Sequence, residues 1–312
     1  MKKLMAFAMA AMVALASCTK TELVDNSAPT PISFKAVTGS MTKAPEDVVT
    51  KNLGVFAFIS DDKEDYFGNS PFTKNNEGTW SGGKFWPIES KLDFVVYYPY
   101  QANNVSATYT NSTQQNPVDK VSLEVTIPNN SSEQTDYMYS DTYLTNKDKN
   151  SDMSVKLNHA LSMIEVVFDG DIDDDGEDEI TVSNVSLNNT YQSGTYNVSY
   201  TKTTVNGNVV WTPEITWNSW SNLTTSIPAD AEVLVVPTID ATFDNGKFPE
   251  ISFTYTMPDC TPLTYSYKFN ANPDWAPGTH YIYTITITPS EIKFTPSVNG
   301  WATDNGSISI QG

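Results

Sequence analysis

The sequence predicts an all-β fold built of antiparallel sandwiches, and three observations carry that expectation. Apolar residues recur at alternate positions rather than every third or fourth. The apolar runs are strand-sized and rich in Val, Ile, Thr, Tyr and Phe. Turn formers such as Asn206-Gly207, Asp244-Asn245-Gly246 and Asn299-Gly300 separate them. No stretch keeps a helical period for more than a turn or two, and short strands so spaced read as sandwiches.

Along the chain, residues 1–17, MKKLMAFAMAAMVALAS, come first and have the layout of a secretory signal. Lys2 and Lys3 supply positive charge, Leu4 to Leu15 an apolar stretch, and Ala16 and Ser17 a small-residue cleavage point. Twelve residues of helix reach about 18 Å, short of the ~30 Å hydrocarbon core, so this is no spanning helix. Leu15-Ala16-Ser17-Cys18 resembles the bacterial lipobox. Cleavage between Ser17 and Cys18 with lipidation of Cys18 is therefore expected; the other reading is a plain secretory cut that leaves Cys18 ordinary. Residues 18–30 are polar and contain proline, a tether between lipid and fold.

Strands are expected over Ile32–Ala36, Leu53–Ile59, Leu92–Tyr98, Val121–Ile127 and Val155–Phe168. Further ones are expected over Ile180–Leu187, Tyr196–Tyr200, Ala231–Val236, Ile251–Thr256, Leu263–Phe269, Tyr281–Ile287 and Ile292–Val298. The first sets Ile32, Phe34 and Ala36 on one face, with Ser33 and Lys35 on the other. In VKLNHALSMIEVVF the apolar parity switches between Met163 and Ile164, which demands a bulge or a change of sheet. The polar run TNKDKNSD, 145 to 152, precedes it. It divides the chain into an N-terminal β-sandwich domain, 31–150, and a C-terminal one, 151–312.

The formal net charge is −19, and removing the signal takes away two lysines and no acid. Such an excess repels phosphates and argues against nucleic acid or anionic headgroups as partners. With Cys18 lipidated, Cys260 has no intramolecular partner, so no disulfide framework is expected. Catalytic signatures are missing: no G-x-S-x-G, H-E-x-x-H, cysteine cluster or Gly-rich phosphate loop occurs, and an enzyme is not expected. Of the two histidines, His159 shares a face with Val155, Leu157 and Leu161 and reads as a hydrogen-bonded core imidazole. His280 lies on the wetter face of its strand and reads as exposed.

No cofactor is implied except calcium. In DGDIDDDGEDE, Asp171, Asp173 and Asp175 precede Gly176 as in the opening of an EF-hand-like loop. Position twelve is Val182 rather than a bidentate glutamate, so the segment is either an incomplete calcium site or a solvated acidic turn. Trp211, Trp217 and Trp220 either form a sugar-stacking platform or plug a sandwich core.

Several separated segments together resemble the fimbrillin family, the lipoprotein precursors of type V pilins of Gram-negative gut and oral anaerobes. They are LGVFAF (53–58), Trp80 to FWP (85–87), LDFVVYYP (92–99), DYMYS (136–140), VKLNHALSMIEVVF (155–168), LVVP (234–237), PGTHYIYTITI (277–287) and Trp301. The resemblance implies two tandem transthyretin-like antiparallel β-sandwich domains after a lipoprotein signal peptide. It implies an outer-membrane, cell-surface location and fimbrial subunits as partners. It also implies proteolytic removal of an N-terminal segment, then joining of subunits when a strand of one fills a groove opened in another. The family's best-known cut follows arginine, and this chain has none; either a lysine serves, with Lys43 and Lys51 as candidates, or the chain is never cut. The candidate removable strand carries Ile32 and Phe34. The candidate donors are Ile292–Val298 and GSISI, 306–310, which sets Ile308 and Ile310 on one face. The expected function is a structural, adhesive fimbrial subunit, with a host or bacterial surface ligand as a further partner. The alternative is a surface glycan-binding lipoprotein of a nutrient-uptake system.

Overall fold

A computed structural model describes residues 28–38, 51–60, 65–108, 120–170, 180–223, 227–228, 232–243, 247–288 and 291–300. Among the described residues the only helical element is one 3-10 turn, Ser131–Glu133; everything else regular is strand. No helix among them is long and apolar enough to cross a membrane.

One sheet holds β1 (Pro31–Thr38), β2 (Leu53–Ile59), β3 (Asp65–Lys74), β4 (Thr79–Phe85), β5 (Leu92–Tyr98), β8 (Met138–Ser140), β9 (Leu144–Lys147) and β10 (Ser154–His159). Its order is β2-β3-β4-β1-β10-β8-β5-β9, and a further pairing of β2 with β5 closes it into a ring. Ile32, Phe34, Leu53, Val55, Leu92, Phe94, Val155 and Leu157 fill its interior. A second sheet joins β6 (Val105–Thr108) and β7 (Lys120–Thr126) to β13 (Tyr191–Val205) and β14 (Asn208–Leu223), in the order β14-β13-β7-β6. Its Val121, Leu123, Tyr196 and Val198 pack against Phe56, Phe58, Val95 and Tyr97 on the outer face of β2 and β5. Those two strands therefore carry a core on each side. Gly54 permits this layering, because a Cβ there would lie 2.1 Å from the Tyr97 ring.

Two further four-stranded sheets enclose a third core. One is β16-β11-β19-β20, with β11 (Ser162–Gly170), β16 (Val233–Val235), β19 (Thr279–Ile287) and β20 (Ile292–Gly300). The other is β15-β12-β17-β18, with β12 (Thr181–Asn188), β15 (Ile227–Pro228), β17 (Glu250–Thr256) and β18 (Leu263–Lys268). Ile164, Leu187, Ile251, Phe253, Trp275 and Ile285 are fully or almost fully buried between them.

The expected strand Val155–Phe168 is two strands. β10 belongs to the ring sheet and β11 to a different one, so the parity switch marks a change of sheet. Pairing passes over residue 150 in two places: β10 lies against β1 and β8, and β7 against β13 from Ser193 to Val198. The elements that sequence reading missed, β3, β4 and β14 above all, contain Gly68, Pro71, Gly82, Gly83 and Pro213. Such residues read as turns, but Pro213 lies in a strand at the margin of its sheet, where a missing N–H costs nothing. β13 and β14 meet at Asn206 (φ 51°) and Gly207 (φ 80°), the left-handed pair that a two-residue hairpin turn requires.

Candidate functional site

β1 carries Ile32 and Phe34, the residues of the strand that the resemblance implies is removable. Its alternation is realised: Ile32 and Phe34 are 0 % and 1 % exposed, while Lys35 faces solvent. Phe34 meets Phe72 and Phe94 edge-on, with ring centroids 5.5 and 5.3 Å apart. Burying these two side chains is worth roughly 1.5–3 kcal/mol each.

The ladder contacts of β1 are staggered. From Pro31 to Lys35 it pairs antiparallel with β4, and from Lys35 to Thr38 parallel with β10. The ends of the first half are tied by Trp86 N donating to Thr30 O and Lys35 N to Met153 O, both at 2.9 Å. Between that half and the turn before β10 lies an open cavity of about 620 Å³ whose lining includes Ser33, Lys35, Thr79, Trp86, Asp152 and Ser154. β1 is thus held at each end by a different neighbour, beside a space that is already open.

Lys51 immediately precedes β2. It is exposed, but its Nζ donates to Thr135 Oγ1 at 2.6 Å and its backbone N–H to the Tyr98 hydroxyl at 3.4 Å. Ser17, Cys18, Lys43, Asp171, Asp173, Asp175, Ile308 and Ile310 lie outside the described residues. The other donor candidate is part of β20, paired with β19 along its whole length, and Phe294 stacks on Tyr267 at 3.6 Å.

His159 is buried, and its Nδ1 bonds to Asp136 Oδ2, which makes it the core imidazole that its face suggested. Asp136 Oδ1 also accepts from Tyr137 N at 2.7 Å, so the pair pins the loop before β8 to the end of β10. The tryptophans do not form a platform. Trp211 and Trp217 sit in the core between the ring sheet and the second sheet. Trp217 Nε1 donates to Ala160 O at 3.1 Å, and Trp220 Nε1 to Pro237 O at 2.8 Å.

His280 corrects the expectation of an exposed residue. Its side chain is 17 % exposed, and its Nε2 lies 3.0 Å from Glu165 Oε2 on the neighbouring strand. Glu232 completes a group whose ligand atoms all lie within 4.8 Å of one another. Sequence reading missed it because the three residues are far apart in the chain and meet only through strand register. Cys260 is a free, exposed thiol.

A family profile described as fimbrillin-like matches residues 42–301. No curated protein matches the chain. Among solved structures, a candidate cell adhesion protein from Bacteroides uniformis superposes with a TM-score of 0.52 at 20 % identity, covering 87 % of this chain and 99 % of that one. A fimbrial protein from Bacteroides vulgatus gives 0.51 at 15 % identity, covering 86 % and 99 %. A candidate cell adhesion protein from Bacteroides ovatus gives 0.52 at 13 % identity, covering 89 % and 100 %. At these identities the likeness is one of fold.

Proposed function

The chain belongs to the fimbrillin-like family, and from that premise we propose that it is a subunit of a cell-surface fimbrium, anchored through a lipid on Cys18 before assembly. Subunits join when β1 leaves the ring sheet and a strand from another subunit takes its place. The ring sheet with its core and the pair of sheets around the third core serve as the two transthyretin-like sandwiches. The observation that carries this reading is the setting of β1: a strand joined to the ring by one neighbour on each half, plugging a core with two large side chains.

Cleavage between β1 and β2 leaves β1 held by contacts alone. Lys51 is fixed at both its backbone N–H and its Nζ, whereas a protease needs chain it can draw into its own cleft. Lys43 is therefore the favoured cut. Two buried side chains worth roughly 3–6 kcal/mol together keep the cleaved strand seated until a competitor displaces it. Loss of β1 uncovers edge amides and carbonyls of β4 and β10, a template for an incoming strand. The donor of choice is 306–310 with Ile308 and Ile310, because β20 is already engaged with β19.

Limited digestion followed by N-terminal sequencing and light scattering tests this. Digestion is expected to give a new amino terminus at Ala44 and to convert monomer slowly into higher oligomers. Phe34→Ala should speed the conversion in cleaved protein, and deleting 304–312 should block it. A cleanly trimmed protein that stays monomeric overturns strand exchange.

A further inference from the structure

We propose that Glu165, Glu232 and His280 bind one divalent transition-metal ion of the zinc class, linking the strands β16, β11 and β19. The site follows from register. β11 runs antiparallel to β16 with Ile164 opposite Val233, which sets Glu165 opposite Glu232. β11 runs parallel to β19 with Met163 beside His280, so His280 sits diagonally from Glu165. Ile164 and Tyr281 take the opposite face and enter the third core, leaving the two carboxylates and the imidazole together on the other.

The arrangement has the marks of a ligand set rather than a simple ion pair. His280 Nε2 is shielded from solvent and has no hydrogen-bond partner, although it lies 3.0 Å from Glu165 Oε2. The two atoms are close, but the imidazole is not aimed at the carboxylate as a donor. Atoms bound to one zinc at about 2.1 Å are roughly 3–3.5 Å apart, so this separation suits two ligands sharing an ion. The second carboxylate lies within 4.8 Å of both and closes by side-chain rotation. Two glutamates this near each other repel, in a chain whose net charge is −19. A dication removes that repulsion. The donor set selects the metal: an imidazole disfavours calcium and magnesium, and carboxylates with no thiolate disfavour copper(I). Three protein ligands leave a fourth position for water or for a side chain of another molecule.

The test uses the full chain, without a histidine tag and stripped by a chelator, titrated with zinc chloride in a calorimeter. Wild type is expected to bind one zinc that Glu165→Gln and His280→Gln each weaken at least tenfold. The same titration followed by NMR should move the His280 imidazole signal; with only two histidines in the chain, the His280→Gln variant assigns it. Melting curves of the metal-free proteins establish that both variants fold, and the imidazole shift in wild type needs no variant. No zinc uptake up to millimolar concentration, uptake by both variants as tight as by wild type, or a His280 signal that does not move at saturation overturns the proposal.

Discussion

β5 and β18 are antiparallel strands of similar length, LDFVVYY and LTYSYK, yet their side chains live differently. Every residue of β5 is buried; β18 alternates between half-buried and exposed. β5 has Leu92, Phe94, Val96 and Tyr98 in the ring core and Val95 and Tyr97 in the core shared with β7 and β13. β18 ends its sheet and has a core on one side only, where Tyr265 packs. The contrast teaches that alternation reports one-sided burial. A strand in a middle layer loses it and reads as a continuous apolar run.

The largest test of this contrast is Phe94→Ala. Phe94 is fully buried and meets Phe34 and Trp86 edge-on. Truncation should cost about 3–5 kcal/mol in urea unfolding. It should also loosen β1, so that cleaved Phe94→Ala oligomerises faster than cleaved wild type.

A second test uses Tyr97 and pH. Burial pushes its phenol up to about 12, against hydrogen bonds to Gln101 and Asn69 that lower it. Burial likewise raises Tyr196, Tyr200 and Tyr283. A phenol whose folded pKa exceeds its unfolded value near 10 binds its proton more tightly when folded. Its contribution is complete below pH 10 and falls as pH rises through about 12. Alkaline unfolding should therefore begin above pH 10 and coincide with tyrosinate absorbance. Tyr97→Phe should soften the loss while costing about 1 kcal/mol at neutral pH, because the 2.6 Å bond to Asn69 is removed.

The smallest effect is expected at Leu263→Ala on β18. That side chain is 47 % exposed, so the change should stay within about 0.5 kcal/mol. A cost near that of Phe94→Ala would break the contrast between one core and two.

Much of the fold was legible because burial dictates pattern locally. The alternation of PISFKAV foretold which side of β1 faces the core, and the parity switch at Met163-Ile164 called for a bulge or a change of sheet, of which β10 and β11 realise the second. What was illegible depends on neighbours far along the chain. The polar run 145–152 looked like a boundary, but β10 beyond it pairs with β1, whose partners no local composition announces. β14 was passed over because Pro213 and its many polar residues imitate loop, while its pairing with β13 sustains a long strand. The Glu165–Glu232–His280 group could not be foreseen either, since it exists only once three strands take their register.

The long hairpin of β13 and β14 has a practical consequence. β7 supports β13 only from Ser193 to Val198, and beyond Thr201 the ribbon is largely exposed. At about 3.3 Å per residue, its tip stands roughly 25 Å beyond that support. Asn206 and Gly207 at that tip are exposed to solvent. The same tip is the natural splice point for a foreign epitope, because added residues there disturb neither ladder nor core. If the subunit polymerises, each copy would carry the graft outward, turning a filament into a repetitive antigen display.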